Sequence, residues 1–251
     1  MKSDVLVIIP TFDGGNILKQ CIQELGQCKA SLLILDSGSR DGTEDFLDNS
    51  ETNWFKVADR SFNHGQTRED GRKVEDSTVV VFLTQDVLLK TPRAIDDLVQ
   101  PILDGKAEVS YGRQLPRDDA SFFECFPREF NYPDKSHVRS LSDIDKYGAY
   151  TFFCSDSFAA YSQKALDEIG GFEATLSHED YFAVAKILKN GGRIAYVAEA
   201  EVTHSHNYSL LQEFRRYFDA GYVRAVNPWV TELVGRRTMG LGFLKQCFIV
   251  W

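Results

Sequence analysis

The chain has 251 residues, 43% hydrophobic and 26% charged, with a net charge of −9 and a pI near 5.1. This is the composition of one ordinary globular domain with room for a short extension, and its acidity excludes a general nucleic-acid binder, which needs a basic face against the phosphates. Five scattered cysteines without C-x-x-C spacing exclude a zinc ribbon or a disulfide scaffold, and with no secretory leader and no run of ~20 apolar residues a cytoplasmic protein is expected.

Val5–Ile9 is a continuous, mostly β-branched apolar run closed by Pro10, which reads as a buried parallel strand. Asn16–Leu25 carries Ile17, Leu18, Cys21, Ile22 and Leu25 at helical spacing. Leu32–Leu35 is a second short strand. The loop Asp36-Ser37-Gly38-Ser39-Arg40-Asp41-Gly42-Thr43 follows, with Thr43 expected to cap a helix through Phe46 and Leu47. Thr78–Leu83 is a third apolar run, ending on Thr84-Gln85-Asp86. This alternation predicts an α/β fold with a mostly parallel sheet and flanking helices.

Beyond it, Val109–Gly112 and Ile194–Val197 read as strands, and Ala159–Ile169, Ser177–Leu188 and Leu210–Tyr222 as helices, the last amphipathic. Pro116–Tyr150 is polar, aromatic and weakly periodic, and is expected to be a long functional loop. The expected division is a domain over 1–222 and a helical or membrane-proximal extension over 223–251.

Open α/β sheets bind ligands beyond the carboxyl ends of their strands. Three strands here end in polar or acidic groups: Thr11-Phe12-Asp13, Asp36-Ser37-Gly38-Ser39 and Gln85-Asp86. One such Asp is usually a turn former; three on one edge point to a site. No G-x-G-x-x-G or G-x-x-x-x-G-K-[ST] pattern occurs, so a glycine-rich phosphate loop is excluded.

Val-Ile-Ile-Pro-Thr-Phe at 7–12 with Leu-Asp-Ser-Gly-Ser-Arg-Asp-Gly-Thr at 35–43 resembles the nucleotide-binding opening of glycosyltransferase family 2, whose members have the GT-A fold. The resemblance continues through Asp86 and His178-Glu179-Asp180 to about Tyr222. Phe62 through Arg68, Thr84-Gln85-Asp86 and Thr203 through Tyr208 are similar to segments of bacterial rhamnosyltransferases within that family.

The resemblance implies that Thr11 and Asp13 line the base and ribose pocket and that Asp36 accepts the N3–H of uracil or thymine. On residue type alone, Asp36 is equally an Asx-turn or capping residue. Gly65 is implied to allow close backbone approach to the nucleotide, and Arg68 to meet the diphosphate or base, with a solvated Arg as the plain alternative. Asp86 is implied to hold Mg²⁺ or Mn²⁺ against the diphosphate, with Thr84 and Gln85 standing where other members often place a carboxylate. Asp180 is implied as the base in an inverting transfer, and His204, more than His206, as an auxiliary metal or diphosphate contact.

The expected reaction moves a sugar, L-rhamnose from dTDP-rhamnose ahead of a sugar from a UDP-sugar, onto a hydroxyl of a surface polysaccharide or lipid-linked glycan. Phe214, Tyr217, Phe218 and Tyr222 with Arg215, Arg216 and Arg224 read either as a core stripe with solvated charge or as a face docking at the inner surface of the membrane. An apolar run follows from Gly240. Two rival functions are a non-catalytic sugar-nucleotide or glycan-binding module and a nucleotidyltransferase. The latter is disfavoured because Thr11–Asn16 holds no basic residue.

Overall fold

A computed structural model describes residues 4–57, 63–118, 120–175, 177–204 and 208–234. The elements run β1 Val5–Thr11, α1 Gly15–Leu25, β2 Ser31–Asp36, α2 Thr43–Asp48, β3 Asn53–Lys56, α3 His64–Arg72, β4 Val79–Leu83, β5 Leu88–Leu89, α4 Ala94–Leu103 and β6 Val109–Leu115. They continue as α5 Phe122–Asn131, β7 His137–Ser140, α6 Ile144–Tyr147 between two 3₁₀ turns, β8 Phe158–Ser162, α7 Gln163–Glu168, α8 Glu179–Lys189, β9 Arg193–Thr203, α9 Leu210–Val226 and α10 Pro228–Val234.

The sheet order is β3-β2-β1-β4-β8-β6-β9-β5, with β7 also paired to β9. β1, β2, β3 and β4 are mutually parallel. The reversed strand β8 lies between β4 and β6, so β6 and its parallel neighbour β9 run the same way as β1. The carboxyl ends of β1, β2, β4, β6 and β9 therefore share one edge, and β8 begins there.

Both faces of the sheet are covered, which explains the unbroken apolar runs. Along β1, Leu6 and Ile8 enter one core with Val80, Phe82 and residues of α8, while Val7 and Ile9 enter the opposite core with Leu18 of α1 and Leu98 of α4.

Three expectations change. Ala159–Ser162, read as the start of a helix over Ala159–Ile169, belongs to the antiparallel strand β8; only α7 remains of that helix. The interval 116–150 contains α5 and β7 as well as loop, and β7 is pinned by Arg139, fully buried and donating to the Phe153 carbonyl at 2.7 Å and the Tyr111 hydroxyl at 3.0 Å. Thr43 is the first residue of α2, whose cap position is Gly42 at φ 89°. Its hydroxyl instead accepts from the Gly15 amide at 3.1 Å and donates to Asp41 at 2.6 Å, tying the first two strand-end loops together. α9 continues unbroken across position 222. His206 and the run from Gly240 lie outside the described residues.

Candidate functional site

The site is built where these strand ends meet. After β1, Thr11 is buried and donates its hydroxyl to Gln85 Oε1 at 2.5 Å. Gln85 also accepts from the Phe12 amide at 2.9 Å and donates to the Phe12 carbonyl at 3.1 Å. An amide, with both a donor and an acceptor, can hold a strand end in this way; a carboxylate cannot. That accounts for Gln85 and leaves Asp86 as the carboxylate of this turn. Asp13 is exposed at φ 48° and is fixed by donating its amide to Ser39 Oγ at 2.8 Å and accepting from the Arg40 amide at 2.7 Å. Thr11 and Asp13 thus stand together beside the β2 loop.

Asp36, expected to face a base, is 0% exposed and turned into its own loop. One carboxylate oxygen accepts from the amides of Gly38 at 2.8 Å and Ser39 at 2.9 Å, and the other from Ser39 Oγ at 2.5 Å. This is the Asx-turn arrangement, in which the side chain replaces water for the loop's own donors.

Asp86 and His204 meet beyond β4 and β9. His204 Nε2 lies 3.5 Å from Asp86 Oδ1 and 3.5 Å from Thr84 Oγ1. On its other side, His204 Nδ1 is 2.9 Å from the Oε1 of buried Gln114, whose own amide donates to Ser155 Oγ at 3.0 Å. Gln114 therefore presents an acceptor, Nδ1 carries the proton, and in the neutral ring the Nε2 lone pair faces the Asp86 carboxylate. A carboxylate oxygen and an imidazole nitrogen are both atom types that bind divalent cations. Arg117 donates to the Asp86 carbonyl at 3.3 Å and Arg128 to the His204 carbonyl at 2.6 Å, so two guanidinium groups border this corner of an acidic protein.

The second cluster surrounds Arg68, which is 3% exposed. Its guanidinium donates to Glu179 through Nη1, and its Nε stands 3.2 Å from Asp156 Oδ2. Asp156 also accepts from the Tyr161 hydroxyl at 2.6 Å. Asp180 accepts from the amides of Tyr181 at 2.7 Å and Asp156 at 3.4 Å. Three carboxylates share one buried cation. Burial, with the negative Asp156 and Glu179 beside it, pushes the Asp180 carboxyl well above the usual carboxylate range. Burial raises Asp156 to about 6 against the pull of Arg68. Burial opposes the charge of Arg68, but Glu179, Asp156 and Asp180 outweigh it and hold the guanidinium above its ordinary value.

Arg68, expected at a diphosphate or base or else in solvent, is turned inward onto these carboxylates. At Gly65 a methyl group would collide with the Glu173 carbonyl oxygen, so the chain's own backbone lies close against it. Asn63 completes this packing by accepting from the Gln66 amide at 3.0 Å and donating to the Thr175 carbonyl at 2.8 Å.

The two clusters are bonded to one another. Gln114, which orients His204, is held by Ser155; the next residue, Asp156, donates its amide to Asp180 and forms an ion pair with Arg68 through its carboxylate. Gln114, Ser155 and Asp156 had no signal in the sequence, because they come from β6 and the turn before β8 and meet only through sheet order. Among the described residues no group of three or more His, Cys, Asp and Glu side chains is arranged to hold a metal by itself.

Residues 6–170 match the family described as Glycosyl transferase family 2. The chain is 40% identical over 249 residues to the O-antigen chain rhamnosyltransferase RfbN of Salmonella typhimurium, covering 96% of this chain and 79% of that protein. It is 37% identical over 247 residues to the O-antigen chain rhamnosyltransferase WbaN of Salmonella anatum, covering 96% and 78%. Among solved structures, the mannosyltransferase PcManGT from Pyrobaculum calidifontis, in complex with GDP-Man and Mn²⁺, superposes with a TM-score of 0.65 at 15% identity over 93% of this chain and 73% of that one. S. aureus TarS in complex with UDP-GlcNAc superposes at 0.64 and 16% identity over 83% of this chain, which spans 60% of that one. At such identities the likeness is one of fold.

Proposed function

The chain belongs to glycosyl transferase family 2, with the GT-A fold, and from that premise we propose that it transfers L-rhamnose from dTDP-rhamnose to a hydroxyl of a growing surface polysaccharide, free or lipid-linked, with inversion at the anomeric carbon. The sugar is inferred from the two rhamnosyltransferase relatives, which align over nearly the whole chain. The observation that carries the reading is the bonded path His204–Gln114–Ser155–Asp156–Asp180, which joins a cation corner to a carboxylate of raised pKa on one sheet edge.

In this reading Thr11 and Asp13 line the nucleotide pocket, and Asp36 acts by building the loop that walls it. Asp86 and His204 Nε2 would hold a divalent cation, which supplies neutralisation of the leaving diphosphate. An imidazole nitrogen beside a carboxylate suits Mn²⁺ better than Mg²⁺. Asp180 takes the proton of the acceptor hydroxyl. A base works best with its pKa near the operating pH, and burial together with the negative Asp156 and Glu179 moves this carboxyl upward from the ordinary carboxylate range. Single displacement requires no enzyme nucleophile.

The test is a donor panel: dTDP-rhamnose, UDP-sugars and GDP-sugars, each with Mn²⁺, scored by release of nucleoside diphosphate with and without acceptor saccharide. dTDP-rhamnose is expected to be turned over fastest. Preference for a GDP-sugar would overturn the donor assignment, and the absence of any turnover would favour a binding module.

A further inference from the structure

Arg117 is the first charged residue after β6, and the sheet sets it at the corner of Asp86 and His204. β6 runs beside β9 with Leu115 opposite Thr203, and the Leu115 carbonyl accepts from the His204 amide at 2.9 Å. Arg117 follows two residues later. Its own carbonyl accepts from the Ala120 amide at 3.0 Å, closing a turn, and its Nη2 donates to the Asp86 carbonyl at 3.3 Å. The backbone thus departs beside one residue of the corner while the guanidinium rests on the other. Arg117 is half-buried, unlike Arg68 in the interior.

The chemistry of the corner calls for positive charge at this place. In the proposed transfer the bond between the anomeric carbon and the β-phosphate oxygen breaks, and its electron pair stays on that oxygen. A divalent cation facing one carboxylate and a neutral imidazole leaves a single net positive charge, less than a diphosphate bears even before the bond breaks. A fixed cation beside it acts where the new charge develops. Three neighbouring arginines each face a carboxylate instead. Arg68 meets Glu179 and Asp156, Arg113 meets Glu201 at 2.9 Å, and Arg128 meets Glu124 at 2.9 Å with its Nε on the His204 carbonyl. Those pairs hold the walls of the site and add little net charge to it.

We propose that Arg117 binds the diphosphate of the donor beside Asp86 and His204, and so takes the phosphate role that the resemblance implies for Arg68. Its planar fork of N–H donors matches two phosphate oxygens, and its charge persists at every working pH. The contact to the Asp86 carbonyl then has a use: it keeps the guanidinium at the level of the strand end whose carboxylate faces the cation. This assignment rests on the donor chemistry proposed above, and the test separates the two.

The test is calorimetry in Mn²⁺ buffer of dTDP and of thymidine, each with the wild type, R117M, R117K and K164M. Thymidine carries the base and sugar without phosphate, so the ratio of the two dissociation constants isolates the diphosphate. Lys164 is 86% exposed on α7, at the opposite edge of the sheet, and K164M removes a positive charge there as a control. R117M is expected to weaken dTDP on the order of 10–100-fold and to leave thymidine unchanged. R117K should recover part of the loss, and K164M should match the wild type; thermal melting verifies that each variant is folded. A ratio in R117M within a few-fold of the wild type would overturn the assignment. So would an equal loss for dTDP and thymidine, the mark of a tie that only braces the Asp86 turn, or an equal effect of K164M. A wild type that binds GDP and guanosine but not dTDP would sink the donor reading alone, and the same ratio measured on that pair would still decide the role of Arg117. A wild type that binds no nucleoside diphosphate more tightly than its nucleoside would overturn both.

Discussion

Replacing Arg68 with Met tests whether this arginine serves the fold and the base or, as its residue type suggests, a phosphate. The Arg68–Asp156 separation of 3.2 Å corresponds to about 5 kcal/mol of attraction at an effective dielectric of 20, and Glu179 adds a second contact. Removing the guanidinium also removes its own desolvation cost, so the net loss is smaller: breaking a buried pair from one side typically costs about 3–5 kcal/mol. Asp156 and Asp180 already titrate above their unfolded values of ~3.9. Carboxyls of this kind bind protons more tightly folded than unfolded, so they weaken the fold progressively as pH rises past the unfolded value and through the folded one. Without Arg68 their folded pKa values climb further. Urea unfolding of R68M is therefore expected to show a loss of about 3–5 kcal/mol at pH 8 and a clearly smaller one at pH 5. R68K, which keeps a charge, should recover part of it. A loss under about 1 kcal/mol at pH 8, or the same loss at both pH values, would refute the reasoning. So would a stable R68M whose only defect is a raised donor KM.

The remaining expectations follow from the same contacts. G65A should lose about 1–3 kcal/mol in urea unfolding, because α3 has to move off the Glu173 carbonyl; a variant of wild-type stability would show that the approach is not tight. Q114L removes the acceptor that fixes the His204 tautomer, and Mn²⁺ affinity measured by calorimetry in the presence of nucleoside diphosphate should fall about 10–100-fold, while an unchanged Kd would remove His204 from the cation corner. The acidic limb of kcat/KM should lie above the ordinary carboxylate range, because activity requires the ionised form of a base whose pKa is raised. D156N, by deleting its first negative neighbour, should move that limb to lower pH. A limb near ~4 in the wild type would contradict the assignment.

What could be read from the sequence followed from local chemistry. The strands β1, β2 and β4 were visible because burial on both faces demands unbroken apolar runs, and Asp86 was visible because it sits at such a strand's end. β8 was not: Phe158–Ser162 leads without a break into the helical pattern of α7, and only pairing to β4 and β6 makes it a strand. β7 depends on buried Arg139, which satisfies the carbonyls of Tyr150 and Phe153, a tertiary arrangement with no local signature. At the site, residue types were legible and directions were not. Arg68 turns into the core because three acids from two distant segments wait there. Asp36 turns into its own loop because Gly38 and Ser39 offer three donors.

The most direct measurement is the initial rate of dTDP release from dTDP-rhamnose in the presence of acceptor saccharide, compared between the wild type and D180N at pH 8. Loss of the base should lower the rate by about 10²–10⁴-fold. The melting temperature should be no lower than that of the wild type, since the substitution removes a carboxyl that burial and its acidic neighbours disfavour as a charge. A D180N protein that transfers within a few-fold of the wild-type rate would contradict the account.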